Sequence, residues 1–202
     1  PDNLLLRLEL GDALLEQGKH AEANVAYEEA AALEPHDPLP LIHLGQSLVE
    51  QGQYGAAEQK FRDAIEVDPN EFWANYDLGA LLADQRKFDA AEKPLSAATI
   101  LADDSDDADD VVVQARAWTY YGETLYHLGK LTEAENALCQ STNLDPDEAW
   151  PWEILGSVLK DQDKYLDAQL AYTKSLNLEP NHPWLLISLG EAFHHQYKYG
   201  EA

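Results

Sequence analysis

Cysteine, methionine and basic residues are scarce in this chain of 202 residues. The single cysteine, Cys139, has no partner for an internal disulfide, so the composition gives no sign of an oxidising compartment. No apolar run reaches the roughly 18 residues of a membrane span, and no charged and apolar leader opens the chain. We therefore expect no membrane partner, and we expect a cytoplasmic location. Because the chain starts at Pro1 and has no Met, we expect it to be part of a longer protein.

Positive charge is the most marked deficit. The chain has 13 Lys and Arg against 38 Asp and Glu, which gives a formal charge of −25. A field of this sign repels phosphate backbones and anionic lipids, so we expect no nucleic-acid partner. Two interpretations of the acidity are open. It attracts a basic partner over long range, or it provides a solvated acidic surface that keeps the protein soluble.

Glycine, in contrast, recurs at a regular spacing. Six glycines that each follow a bulky residue are 34 residues apart, except for one step of 43: Gly11, Gly45, Gly79, Gly122, Gly156 and Gly190. An alanine stands twelve residues after each of them, and a large side chain follows four residues later in five of the six units. A single unit of this period cannot bury its own apolar face, so the spacing predicts stacked helical repeats.

This pattern resembles the tetratricopeptide repeat (TPR) family, whose signature combines a Trp, a Leu-Gly pair, an Ala followed by Phe, and a closing Pro. Trp152 with Leu155-Gly156 matches the first part, and Ala57 with Phe61 matches the second. The resemblance implies an all-α fold, a right-handed superhelical solenoid of antiparallel helix pairs. We call the equivalent positions of successive repeats a column. In such a fold the columns of Gly and Ala let helices approach closely, and the columns of large side chains fill the spaces between the helices.

The columns also predict where the repeats begin and end. We predict one solenoid over residues 1–202, with repeats at 4–37, 38–71, 72–103, 115–148 and 149–182 and a partial repeat at 183–202. Gly18, Gly52 and Gly129 mark tight turns between paired helices. An acidic insertion occupies about 103–114, and its aspartates either bind a cation or form a solvated loop that caps the next helix.

Motifs that carry catalysis are absent from the sequence. There is no Gly-rich phosphate loop and no GxSxG element. The adjacent His194 and His195 point about 100° apart on a helix, which makes them a poor metal chelate. Cys139 has no His near it in sequence and is better explained as a packed thiol. We therefore expect no enzyme activity, no cofactor and no metal.

The resemblance to TPR proteins implies that the first helix of each pair lines a concave, ligand-binding groove. The residues that we predict to contact a peptide there are Leu39, Ile42, Trp73, Tyr76, Tyr120, Glu123, Tyr126, Trp150, Glu153 and Trp184. Trp118 and Trp152 instead fall in the signature Trp column, so we expect them to pack between helices. The three tryptophans in the predicted set could also pack on a neighbouring repeat.

Groove composition favours some TPR ligand classes over others. The Lys, Arg and Asn clamp of chaperone-binding members and the Asn ladder of protein O-glycosyltransferases are both missing from the groove columns. An apolar and aromatic lining with acidic residues suits a protein or peptide ligand with apolar anchors and basic residues. The leading hypothesis is thus a non-catalytic scaffold that binds a basic or amphipathic segment. The alternatives are a substrate-presenting module of a larger glycosyl- or sulfotransferase, and a homo-oligomerisation module.

Overall fold

Helices form nearly all of the chain that the computed structural model describes, which is residues 3–102 and 110–199. Within these residues there are eleven α-helices and no strand, so the all-α prediction is confirmed. The chain divides into two compact units, Pro1–Leu101 (unit 1) and Ala102–Ala202 (unit 2). The helices that begin in unit 1 are α1 (Leu4–Glu16), α2 (His20–Leu33), α3 (Leu39–Glu50), α4 (Tyr54–Val67), α5 (Phe72–Asp84) and α6 (Phe88–Ala102). Those of unit 2 are α7 (Asp110–His127), α8 (Leu131–Leu144), α9 (Ala149–Asp161), α10 (Tyr165–Leu178) and α11 (Pro183–Tyr199).

Helices that follow one another in the chain pack against each other. In unit 1, α1 packs on α2 and α3 packs on α4, and in unit 2 the pairs are α7 with α8 and α9 with α10. Each second helix of these pairs also contacts the first helix of the next pair, as α2 contacts α3 and α8 contacts α9. Most helices thus have neighbours on two sides, and the apolar face that one pair cannot bury is covered by the next pair.

The start of α7 differs from the predicted end of the insertion. The repeat columns place the next repeat at residue 115, while the aspartates of the insertion indicate a helix that starts near Val111. The helix α7 begins at Asp110, so residues 110–114 are helical. Within this first part of α7, Gln114 is buried and Val112 is 47% exposed, so only one side of it is covered. The rest of the acidic insertion, residues 103–109, lies outside the described residues. The prediction that its aspartates either bind a cation or form a solvated loop therefore stays a prediction.

Contact between the glycine column and the large column explains the 34-residue pattern. A Cβ atom built on Gly45 would lie 2.5 Å from Cε1 of Phe61, which comes sixteen residues later on α4. Gly156 stands in the same relation to Tyr172, with 2.6 Å to its ring. The large side chain of the second helix therefore packs directly on the backbone of the first helix, at the position where glycine has no side chain. Ala57, the small residue four positions before Phe61, is fully buried at the same crossing.

The turns inside the helix pairs share one backbone conformation. Gly18, Gly52 and Gly129 have φ between 71° and 75°, as their predicted place in tight turns requires. Arg86 and Asp163 take the same left-handed conformation in the turns after α5 and α9, with φ of 59° and 62°. A side chain in this conformation costs roughly 1–2 kcal/mol. The turn geometry is thus kept even where the sequence does not supply glycine.

The core of unit 2 combines aliphatic and aromatic side chains. Leu125, Leu138 and Val158 are fully buried, and Trp118 and Trp152 pack against them from the edge of the core. The indole Nε1 of Trp152 also donates a hydrogen bond to the carbonyl of Pro146, at 3.0 Å. The predicted packing role of these two tryptophans is confirmed.

Candidate peptide-binding surfaces

The predicted contact residues of α3 differ sharply in exposure. Leu39, at the first turn, is 38% exposed and available to a ligand. Ile42 is 2% exposed, so its prediction as a peptide contact is wrong. The reason is that α3 contacts helices before and after it, α1, α2, α4 and α5. Tyr76, at the same position before Gly79, is only partly buried, so the extent of this cover differs between repeats.

Three aromatic side chains meet at the start of α5. The rings of Phe72 and Tyr76 are stacked, with centroids 5.8 Å apart and planes 6° apart. Trp73 meets both of them edge-on, with centroid distances of 5.3 Å to Phe72 and 6.1 Å to Tyr76. Trp73 is 37% exposed. The predicted residues Trp73 and Tyr76 therefore lie together, and the sequence prediction missed Phe72, whose spacing of four from Tyr76 was the available signal.

A cavity of about 390 Å³ lies between α3, α4 and α5. Its lining is mainly apolar, with two carboxylates and two amides: Gln46, Val49, Tyr54, Phe61, Asp77, Ala80, Leu81, Asp84 and Gln85. Trp73, Asp77, Ala80 and Asp84 are spaced by four, three and four residues, so they follow one face of α5. We call these four residues the α5 stripe. It places an exposed indole ring in line with two carboxylates.

Asp77 is a partly buried carboxylate in this cavity. Burial raises its pKa to about 6, and a hydrogen bond donated by Gln46 Nε2 to Oδ2, at 2.8 Å, opposes that rise. Partial burial also raises the pKa of Asp84, although this residue is exposed overall. Among the described residues no Lys, Arg or His forms an ion pair with either carboxylate. The sequence prediction passed over both aspartates, and their spacing of seven residues, two helical turns, was the available signal.

Charge on the first helices of the pairs in unit 1, which are α1, α3 and α5, is mainly negative. Their acidic residues outnumber their single basic residue, Arg7: Glu9, Asp12, Glu16, Glu50, Asp77 and Asp84. Arg7 forms an ion pair with Glu29 on α2, so its positive charge is paired there and not with a carboxylate of α3 or α5. This face of unit 1 is therefore suited to cationic groups.

In unit 2 the structure brings two predicted aromatic residues together. The rings of Tyr120 on α7 and Trp150 on α9 meet edge-on, with centroids 4.9 Å apart. Trp150 also packs on the core of unit 2, so part of its surface is structural. Trp184, at the first turn of α11, is 72% exposed and is the most accessible of the predicted residues.

Polar side chains link successive first helices in unit 2. Tyr126 donates a hydrogen bond from its hydroxyl to Oδ2 of Asp161, at 2.9 Å, and burial together with this bond raises the Tyr126 pKa. Lys160 Nζ lies 2.9 Å from Oε2 of Glu191 and lowers the pKa of that carboxyl.

The two acidic residues of the predicted set, Glu123 and Glu153, lie close to histidines. Glu123 Oε1 is 3.8 Å from His127 Nε2, and Glu153 Oε2 is 3.8 Å from His182 Nε2. These carboxylates therefore have basic neighbours, in contrast to Asp77 and Asp84 of unit 1. The predicted ligand-facing columns of unit 2 serve partly to hold the repeats together.

Groups suited to metal binding do not assemble in the described residues. Cys139 is exposed, so its prediction as a packed thiol is wrong. Partial burial and the nearby Glu135 still raise the pKa of its thiol, which disfavours a reactive thiolate. The rings of His194 and His195 lie 6.1 Å apart at 78°, and His195 stacks on Tyr165. Across residues 3–102 and 110–199 no three His, Cys, Asp or Glu side chains are placed to hold a metal. No helix in that part of the chain is both long enough and apolar enough to cross a membrane.

Similarity to solved structures agrees with this architecture. MamA from Desulfovibrio magneticus RS-1 is 28% identical, with a TM-score of 0.73 over 89% of this chain and 97% of that one. A double mutant of MamA RS-1 gives 28% identity and a TM-score of 0.74, covering 88% and 94% of the two chains. YrrB, described as a TPR protein with an unusual peptide-binding site, has a TM-score of 0.76, covering 93% and 92%. At 20% identity, YrrB shows the fold alone. No curated protein matches this chain significantly.

Sequence comparison with protein families gives a direct assignment. One family model described as tetratricopeptide repeat matches residues 43–108 and 107–149, which is more than half of the chain. A second model with the same description matches residues 14–59. These matches cover both units, and they agree with the helix pairs and with the contact between glycine and large side chain that recurs through them. The chain belongs to the tetratricopeptide repeat family.

Proposed function

We propose that this chain is a non-catalytic protein-interaction scaffold that binds a peptide segment with apolar anchors and basic residues. The observation that carries the proposal is the α5 stripe, in which an exposed indole ring is in line with two carboxylates that have no basic partner among the described residues. An exposed tryptophan one helical turn away from a partly apolar cavity is suited to be an anchor site in protein recognition. The carboxylates then select basic over acidic segments.

The extent of the stripe suits a short segment. Trp73 and Asp84 are eleven residues apart, which corresponds to roughly 16 Å along the helix axis. An extended peptide rises about 3.3 Å per residue. Five or six residues therefore span the stripe, with an apolar side chain against the indole ring and basic side chains toward the carboxylates.

Two capped twelve-residue peptides with the same Leu and Phe anchors provide the test, one with interspersed Lys and the other with Glu. We expect the Lys peptide alone to raise fluorescence anisotropy on titration with the protein. We also expect its affinity to fall between about 50 and about 300 mM salt, since exposed charges are screened over this range.

General attraction to an acidic protein must be separated from binding at the stripe. We expect Trp73→Ala to weaken the Lys peptide about tenfold, the scale of an interface hot spot. Leu170→Ala, which removes a side chain that is 71% exposed on α10, is the matched control. Equal affinity of the parent protein and Trp73→Ala would show that the peptide does not use this surface. A protein that binds neither peptide would contradict the scaffold proposal.

A further inference from the structure

The cavity between α3, α4 and α5 has apolar sides and one charged group that is shielded from water. Val49, Ala80 and Leu81 contribute aliphatic surface, and Phe61, which is 1% exposed, is part of its lining. Asp77 is partly buried, whereas Asp84 is exposed. Because the two aspartates are seven residues apart on α5, they are separated by roughly 10 Å along the helix axis.

Hydrogen-bonding capacity in the cavity is not fully used. Asp77 accepts one bond, from Gln46, although a carboxylate has about four acceptor sites. Among the described residues no basic side chain forms an ion pair with Asp77. In addition, the amide nitrogen of Gln85 is buried and has no acceptor in the part of the chain that the structure describes. A carboxylate and a buried donor thus both lack partners in one cavity.

We infer that this cavity is a pocket for the side chain of a single lysine or arginine of the bound segment, with Asp77 as the carboxylate that accepts its charged end. The inference rests on the proposed scaffold function and specifies how the first unit selects a basic segment. The aliphatic stem of the ligand packs on Val49 and Leu81. Asp84, at the exposed position, attracts the approaching cation.

Chemistry favours an organic cation over a metal ion. Calcium takes six to eight oxygen ligands and magnesium needs a close octahedral set, but this cavity has two carboxylates that are roughly 10 Å apart along the helix axis. A lysine or arginine side chain combines a long apolar stem with a charged tip, which matches apolar sides next to one shielded carboxylate. The unpaired Gln85 amide suits a peptide carbonyl, which a metal ion does not supply. With a pKa of about 6, Asp77 is ionised at neutral pH and can pair with the cation.

A pair of peptides that differ in one charge tests the inference on the full chain. The probe is a capped twelve-residue peptide with Leu and Phe anchors and one Lys, and its partner has norleucine in place of that Lys. Norleucine keeps the aliphatic stem and removes the ammonium group. We expect the parent protein to prefer the Lys peptide by tenfold or more, and we expect Asp77→Asn to bind the two peptides equally.

Asp77→Asn is chosen because an asparagine side chain has the same shape and still accepts the bond from Gln46. Glu66→Gln removes one exposed carboxylate from α4 and should retain the preference for Lys. Circular dichroism shows whether each variant is folded, and the side-chain amide signals of Gln46 and Gln85 in ¹H–¹⁵N spectra should shift with the Lys peptide.

The outcomes separate the pocket from the scaffold function. If Asp77→Asn keeps a preference for Lys, or if the parent protein binds both peptides equally, the pocket assignment is wrong. If the parent protein binds the Lys and norleucine peptides equally and Trp73→Ala weakens both, the scaffold function is retained and only the pocket assignment is lost. Absence of binding by both peptides overturns both proposals.

Discussion

Replacing Asp77 by asparagine should make the protein more stable at neutral pH. A carboxylate that is shielded from water, and that receives one hydrogen bond from Gln46, is less well solvated in the folded protein than in the unfolded chain. Asparagine removes the charge, keeps the side-chain shape, and retains an oxygen to accept the Gln46 bond. The substitution therefore changes electrostatics with little effect on packing.

The size of the effect follows from the pKa. Burial raises the Asp77 pKa from an ordinary 3.8 to about 6. Between these values the folded state binds more protons than the unfolded state, so the stability of the parent protein falls as the pH rises through this window. At 1.36 kcal/mol for each pH unit, the ionised carboxylate costs the folded state about 3 kcal/mol above pH 6. Near pH 5 the expected difference between the proteins is about half of that, and it disappears below pH 3.8.

Urea unfolding of the parent protein and Asp77→Asn at pH 5 and pH 8 measures this difference. We expect the variant to be more stable at both, with a gap that grows toward pH 8. Glu66→Gln, an exposed substitution on α4, controls for the loss of one negative charge from a chain with a formal charge of −25. A gap that does not change with pH, or a less stable Asp77→Asn protein, would refute the assignment of Asp77 as a destabilised carboxylate.

Two further predictions concern helix packing and can be measured as urea midpoints. Gly45→Ala should destabilise the protein by about 1–3 kcal/mol, because its Cβ would overlap the ring of Phe61. Gly55→Ala, where a Cβ meets no atom within 4 Å, should be neutral or stabilising by up to about 1 kcal/mol, and equal losses at both sites would contradict this explanation of the glycine column. Tyr27→Phe should cost about 1–2 kcal/mol, since the buried Tyr27 hydroxyl donates to Asp12 Oδ1 at 2.7 Å. An unchanged midpoint for this variant would show that the bond adds nothing to stability.

The fold could be predicted because its determinants are local and repeat. The contact between Gly45 and Phe61 joins residues only sixteen positions apart, and the same pairing recurs at Gly156 and Tyr172. One unit of the sequence therefore holds most of the information about how a helix pair packs. What the columns miss is a local change in length: they start the fourth repeat at residue 115, whereas the aspartates before Val111 indicate a helix start there and α7 begins at Asp110.

The candidate site was less predictable, because exposure depends on neighbouring repeats. The sequence prediction placed Ile42 in a ligand-binding groove, but helices on both sides of α3 cover its side chain. The prediction also omitted Asp77, although Tyr120, which lies two residues before its own glycine just as Asp77 does, was included. Whether a carboxylate at that position is solvated or shielded depends on side chains such as Val49 and Tyr54, which the fold brings from other helices.

Asp77 connects the stability of unit 1 with its proposed role. An isosteric substitution that improves stability is available at this position, and proteins commonly retain destabilising groups where binding requires them. A cation that pairs with Asp77 would replace the interactions with water that burial removes. Ligand binding would therefore stabilise the same carboxylate that destabilises the free protein. The proposal therefore predicts opposite effects of Asp77→Asn, higher stability above pH 6 and loss of the preference for Lys over norleucine. If the variant gains stability and keeps that preference, Asp77 is a structural cost without a binding role. If it loses both, the preference cannot be assigned to the carboxylate, because the fold itself has been damaged.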